Sequence, residues 1–173
     1  MEEHLDEEIS IMEESTRAPP VFSAEMLELP VATLCKRPAE LLDVSATVGD
    51  AIARMQAARF SAVVVVDGGK VAGIVTERDI LMKVCPGDRR TDPVTEIMTP
   101  NPECLRKEDM IAFVMNKMYV GGYRHVPIVD DNGAPTHVIA LRTVLQFILE
   151  HFPREIVNIA SEPFRGEPKV WSG

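Results

Sequence analysis

Residues 73 to 80 read GIVTERDI, and within them Thr76 and Asp79 are the pair best suited to chemistry. A hydroxyl followed three residues on by a carboxylate marks a helix start, because each group can cap a backbone N–H that the helix leaves free. The same groups, beside free N–H donors, also suit a phosphorylated sugar. A carboxylate can accept from two adjacent hydroxyls, as acidic residues do for ribose in dinucleotide folds, which makes Asp79 a candidate ribose ligand. Gly73 lets backbone or ligand approach closely. Cap and ligand site are both open readings of this stretch. No catalytic set accompanies it. The histidines His4, His125, His137 and His151 show no metal-ligand spacing, and the chain has no P-loop, G-x-S-x-G or C-x-x-C. Gly121-Gly122 reads as a turn.

The elements that must position these residues are written twice. Pro30-Val31 matches Pro93-Val94, Glu40 matches Glu103, Leu42 matches Leu105, Met55 matches Met118 and Val66-Asp67 matches Val129-Asp130, all at an offset of about 63 residues. One added residue in DDNG relative to DGG carries the register on to Ile80 and Val144. Each copy opens with a short apolar segment, LLDV or ECLR. A helical face follows: Val48, Ile52 and Met55, or Ile111, Met115 and Met118. Then come a β-branched strand (AVVVVD, HVPIVD), hairpin residues (DGGK, DDNG), a second strand (VAGIV, THVIA) and a helix (ERDILMKV, RTVLQFILEHF). The expected order is β-α-β-β-α, twice, in an α/β (α+β) fold whose two units pack together. Met110, Met115 and Met118 are expected in its core.

With 173 residues, 46% hydrophobic and 26% charged, the chain has the composition of a soluble globular protein, and with 5% aromatics its core rests on aliphatic residues. No apolar run reaches the roughly 18 residues of a membrane helix, and the start MEEHLDEEIS is acidic where a secretory signal is basic. A cytoplasmic location is expected, and Cys35, Cys85 and Cys104 read as buried thiols. The net charge of −9 argues against nucleic acid or an anionic membrane as partner. Residues 1 to 29 hold nine acidic residues against Arg17, which leaves about −1 for the rest. The nearly neutral body could hold an anion.

The repeated unit, with TVGDAIARM, AVVVVDGGKVAGIVTERDIL, MTPNP and YRHVPIVDDNG, resembles the cystathionine-β-synthase (CBS) domain pair over about residues 30 to 150. The resemblance implies two β-α-β-β-α units with pseudo-twofold symmetry, which commonly associate further into a homodimer. It implies a cleft that binds adenosine compounds: AMP, ADP or ATP, with NAD or S-adenosylmethionine as further members of the class. No other cofactor is expected, and no enzymatic activity. The family's site motif, glycine, two residues, then Ser/Thr-x-x-Asp, falls on Gly73, Thr76 and Asp79, with Arg78 inside it. Arg124 and His125 stand where basic pairs reach phosphates in some members of the family, and Lys36 and Arg37, before the first strand of the first copy, are further candidates. Ala62 and Val64 are candidate walls for the adenine. The second copy has His137, Ala140 and Thr143 at the motif positions, so one ordinary site per chain is expected. A competing expectation is a scaffold that dimerises or binds a protein partner and takes no nucleotide.

The division expected is an acidic arm (1–29), unit 1 (30–92), unit 2 (93–150) and a tail (151–173). Pro86-Gly87-Asp88 starts the linker between units. In the arm, Leu5, Ile9 and Met12 share a helical face that could dock on a partner, while the charge favours disorder. Pro153, Pro163 and Pro168 give the tail an extended path, which Phe164 and Trp171 could pin to the module.

Overall fold

The computed structural model describes residues 24–84, 87 and 89–151. The acidic arm up to residue 23, Cys85, Pro86, Asp88 and the tail from residue 152 lie outside the described residues, and with them the expectations made for Leu5, Phe164 and Trp171. The chain divides into two compact units, residues 24–145 and residues 1–23 with 146–173. Both repeats lie in the first, apart from the end of the last helix.

The β-α-β-β-α order is present in each repeat. After a short helix α1 (Ala24–Glu28), the first repeat contains β1 (Leu41–Asp43), α2 (Val48–Ala58), β2 (Ala62–Asp67), β3 (Lys70–Thr76) and α3 (Glu77–Asp79), which continues as a π turn over Ile80–Val84. The second contains β4 (Thr99–Pro100), β5 (Leu105–Arg106), α4 (Ile111–Val120), β6 (His125–Val129), β7 (Pro135–Ala140) and α5 (Leu141–Glu150). The repeat extends to register. Leu42 pairs with Val65 and Leu105 with Ile128, both in parallel. The antiparallel pairs Val63↔Val75 and Val126↔Ile139 correspond, and each hairpin breaks register at the same place, between Val65 and Val66 and between Ile128 and Val129. The two-residue turn Gly68-Gly69 has φ of 55° and 80°. Glycine supplies that left-handed backbone without steric cost, and it gives the twist a tight hairpin needs.

The two repeats exchange their leading segments. Val31 N–H donates to Asp109 O at 2.7 Å, and its counterpart Val94 N–H donates to Ala46 O at 2.9 Å. The starts of α2 and α4 are satisfied in the same crossed way: Val48 N–H donates to Asp92 O and Ile111 N–H to Leu29 O, each at 2.9 Å. Strand β4 of the second repeat closes the first repeat's sheet, in the order β1-β2-β3-β4. The other sheet, β5-β6-β7, receives Pro38 from the first repeat at a single bridge to His137.

The core follows this exchange. Val94 and Ile97, both fully buried, pack with Leu42, Val48, Met55 and Val75 of the first repeat. Their counterparts Val31 and Leu34 are equally buried, at 0% and 1% exposure. Each repeat's core is therefore completed by residues of the other, so neither repeat has a complete core of its own. Of the three methionines expected in the core, Met118 is buried and Met115 half-buried. Met110 is 45% exposed, because it precedes the first turn of α4 and takes no part in that helix's buried face.

Candidate functional site

The exchange brings the two equivalent helix starts, after Thr76 and after Ala140, to one cleft of about 440 Å³. That size falls within the roughly 300–1,000 Å³ usual for small-ligand sites. The first repeat contributes Thr76, Arg78 and Asp79, and the second contributes Ala140 and Arg142. Ser61, Tyr123, Arg124 and His125, just before or at the start of β2 and β6, also line it. Both approach segments cap the neighbouring helix in the same way: Ser61 O accepts from Glu77 N–H at 3.0 Å and Arg124 O from Leu141 N–H at 2.8 Å. Across the repeats Ser61 Oγ lies 2.7 Å from His125 Nε2.

Thr76 and Asp79 form a complete capping box. Asp79 N–H donates to Thr76 Oγ1 at 3.3 Å, while Thr76 N–H and its hydroxyl donate to Asp79 Oδ2 at 3.0 and 2.6 Å. The other oxygen, Oδ1, is held by Lys83 Nζ at 2.8 Å, and that ammonium also donates to Ile97 O at 2.6 Å. Burial pushes the Asp79 carboxyl up, but the bonds from Lys83 and Thr76 outweigh it and hold the group below the usual carboxylate range. A carboxylate offers about four lone-pair positions. Three of Asp79's are occupied, so with Lys83 in place one remains on Oδ1.

The same T-x-x-D spacing recurs at Thr47 and Asp50, where it also builds a full capping box, outside this cleft. The second repeat lacks both boxes, with Met110 and Phe113 at one pair of positions and Ala140 and Thr143 at the other. Absence of a cap in the second repeat therefore does not by itself mark a ligand position in the first.

What distinguishes the cleft is charge. The guanidinium groups of Arg78, Arg124 and Arg142 are exposed at its walls and form no hydrogen bond or ion pair with another described residue. Of the acidic groups in the lining, Asp79 is paired with Lys83 and Glu103 with Lys117, which leaves Glu77. The lining thus carries an excess of free positive charge.

Five residues anticipated from sequence meet here: Thr76, Arg78, Asp79, Arg124 and His125. Five do not line the cleft. Ala62 and Val64 are 1% and 0% exposed within the sheet, with no free surface for a base to stack on. Arg37 lies 4.1 Å over the Phe60 ring and donates to Ala58 O at 3.1 Å, and Lys36 is also away from the lining. Gly73 is buried, and a Cβ there would come within 2.4 Å of Met98 Sδ and 3.1 Å of Thr99 O. The close approach it permits is that of β4 and Met98. Its counterpart His137 sits at the Pro38 bridge with Nδ1 buried and unbonded. Sequence reasoning missed Ser61, Tyr123, Lys83 and Arg142. Two left signals: Lys83 stands at i+4 from Asp79, an ion-pair spacing, and Arg142 is the repeat counterpart of Arg78.

The CBS domain family model matches residues 31–85 and 94–150. The chain belongs to the CBS domain family. A CBS domain-containing protein of Arabidopsis thaliana is 36% identical over 96 residues, which are 54% of this chain and 17% of that protein. The chain thus spans about a fifth of the length of such plant relatives. An inosine-5′-monophosphate dehydrogenase of Methanocaldococcus jannaschii is 32% identical over 101 residues, 58% of this chain and 20% of that enzyme. Among solved structures, a protein with CBS domains from Burkholderia ambifaria superposes with a TM-score of 0.64 at 26% identity, covering 72% of this chain and 96% of that one. A CBS domain protein from Pyrobaculum aerophilum, solved in complex with AMP, has a TM-score of 0.63 at 24% identity, covering 78% and 100%. Among the described residues no helix is long and apolar enough to cross a membrane.

Proposed function

We propose that this CBS pair is a regulatory module that binds a phosphorylated adenosine compound, AMP, ADP or ATP, in the cleft between Thr76–Asp79 and Ala140–Arg142. The observation that carries this reading is the set of three arginines, Arg78, Arg124 and Arg142, unpartnered among the described residues, around a carboxylate with one acceptor position left. The arginines suit phosphate oxygens, to which a guanidinium offers paired donors. Asp79 Oδ1 suits one ribose hydroxyl. Solved CBS pairs hold AMP in one case and S-adenosylmethionine with methylthioadenosine in another. The two classes differ in charge. Excess free cation in this cleft favours the phosphorylated class and disfavours a sulfonium ligand with its own ammonium group. A ligand that touches both helix starts binds one relative placement of the repeats best, and shifts the population toward it. The module works as a homodimer in this account, and the exposed apolar residues Leu81, Met82, Phe113, Tyr119 and Val120 on its helical segments are the surface such a pairing would cover.

Calorimetric titration with AMP, ADP, ATP, NAD and S-adenosylmethionine tests the reading, with light scattering for the dimer. Nucleotide binding tighter than about 1 mM, some −4 kcal/mol, supports it. No binding to that limit leaves the scaffold alternative, and tighter binding of S-adenosylmethionine than of AMP refutes the charge argument.

A further inference from the structure

The lining of the cleft includes one ionisable ring whose charge state the three arginines do not fix, that of His125. His125 is half-buried at the start of β6, its Nε2 bonded to Ser61 Oγ at 2.7 Å. The charged groups that line the same space are Glu77, Arg78 and Asp79 from α3, Arg124 beside it, Arg142 from α5, and Glu103. Burial, with the Arg124 guanidinium adding to it, pushes the imidazolium pKa down, and Asp79 alone opposes them. Asp79 is a weak counter-ion because Lys83 already neutralises it. An anion arriving among the arginines changes that balance, since it supplies the negative partner that the imidazole lacks.

We propose that His125 is the proton-linked contact of this cleft, neutral in the ligand-free protein and protonated once a phosphate group enters, so that ligand occupancy rises as pH falls. The inference rests on the nucleotide-binding reading. It adds that binding takes up a proton on a side chain, which makes the module responsive to pH as well as to nucleotide. The Ser61 bond survives the change, because the hydroxyl can accept from either form of the ring. Ser61 therefore fixes the ring while its charge varies.

The test is an NMR titration of the histidine ring protons in the full chain from pH 5 to 8, with and without saturating AMP. The signal lost in His125→Gln identifies the ring. The expected result is a midpoint below about 6.5 without AMP and a higher one with it, while that of His137 does not move. Calorimetry in buffers of different ionisation enthalpy should show proton uptake in the wild type that exceeds that of the Gln variant, in which AMP's own phosphate still titrates. The linkage allows at most a tenfold change in affinity per pH unit. AMP binding with an unmoved His125 midpoint overturns this inference and leaves the nucleotide reading standing. If none of AMP, ADP and ATP binds at pH 6 or at pH 7.5, both fall. Should the Gln variant fail to fold, the His125 ring is assigned instead through its own backbone resonances, and the wild-type midpoints still decide.

Discussion

Replacing Thr76 by Ala, with Thr47→Ala beside it, separates capping from ligand contact. Both threonines accept from the N–H three residues on, from Asp79 at 3.3 Å and from Asp50 at 3.2 Å, and both close a capping box. Loss of such a cap costs about 1 kcal/mol, within a range of about 0.5–2, so urea denaturation should show a similar loss for each variant. Only Thr76 lines the cleft. Its removal also takes one of the three bonds of the Asp79 carboxylate, the 2.6 Å bond from the hydroxyl, and leaves those from the residue 76 N–H at 3.0 Å and from Lys83 at 2.8 Å. If the one free position on Oδ1 meets a ribose hydroxyl, the bond at stake is charge-assisted, worth about 1.5–3 kcal/mol, or roughly a 10- to 150-fold change in Kd. Calorimetry with AMP should therefore show that loss for Asp79→Asn, a smaller loss for Thr76→Ala, and no change for Thr47→Ala. Equal destabilisation with unchanged AMP affinity in all three variants would reduce T-x-x-D to a helix cap in both places.

Three further outcomes follow from the geometry. Arg142→Ala should weaken AMP by about tenfold and flatten the dependence of Kd on salt, measured between low and physiological ionic strength, while leaving the urea midpoint unchanged. Ile97→Ala, at a fully buried position that the second repeat places in the first repeat's core, should cost about 2–5 kcal/mol in denaturation and unfold both repeats in one transition. The carboxyl of Asp79 lies below its unfolded value, near about 3.9, so its contribution is complete above that pH and is lost as pH falls through the lower folded value. The wild type should thus lose its stability advantage over Asp79→Asn below about pH 4, and an advantage that persists to pH 2 would contradict the ion pair with Lys83.

Much of the fold was legible because the repeat is written in side chains that obey period rules. The alternation and hairpin glycines around Val63–Val75 are local signals, and the spacing of Val48, Ile52 and Met55 is a helical one. The exchange of leading segments was not legible. Pro30-Val31 and Pro93-Val94 were visible as a matched pair, but which repeat each one packs into is a tertiary choice that no local pattern encodes. The same holds for Gly73, whose missing side chain makes room for Met98 on a segment 25 residues away. At the site, the paired residues of GIVTERDI were readable as chemistry. The arginine that faces them, Arg142, becomes visible only when the repeat offset is applied to Arg78 as well as to the motif. Ala62 and Val64 are apolar, which suits an adenine wall and a buried strand equally, and in this fold both are in the core.

A crystal structure of the full chain grown with AMP tests the central claim most directly. The account predicts density between residues 76–79 and 140–142, with phosphate oxygens in hydrogen-bonding reach of at least two of Arg78, Arg124 and Arg142, and a ribose hydroxyl on Asp79. Nucleotide density elsewhere, beside Thr143 or Arg37, with those three arginines unoccupied, would contradict it.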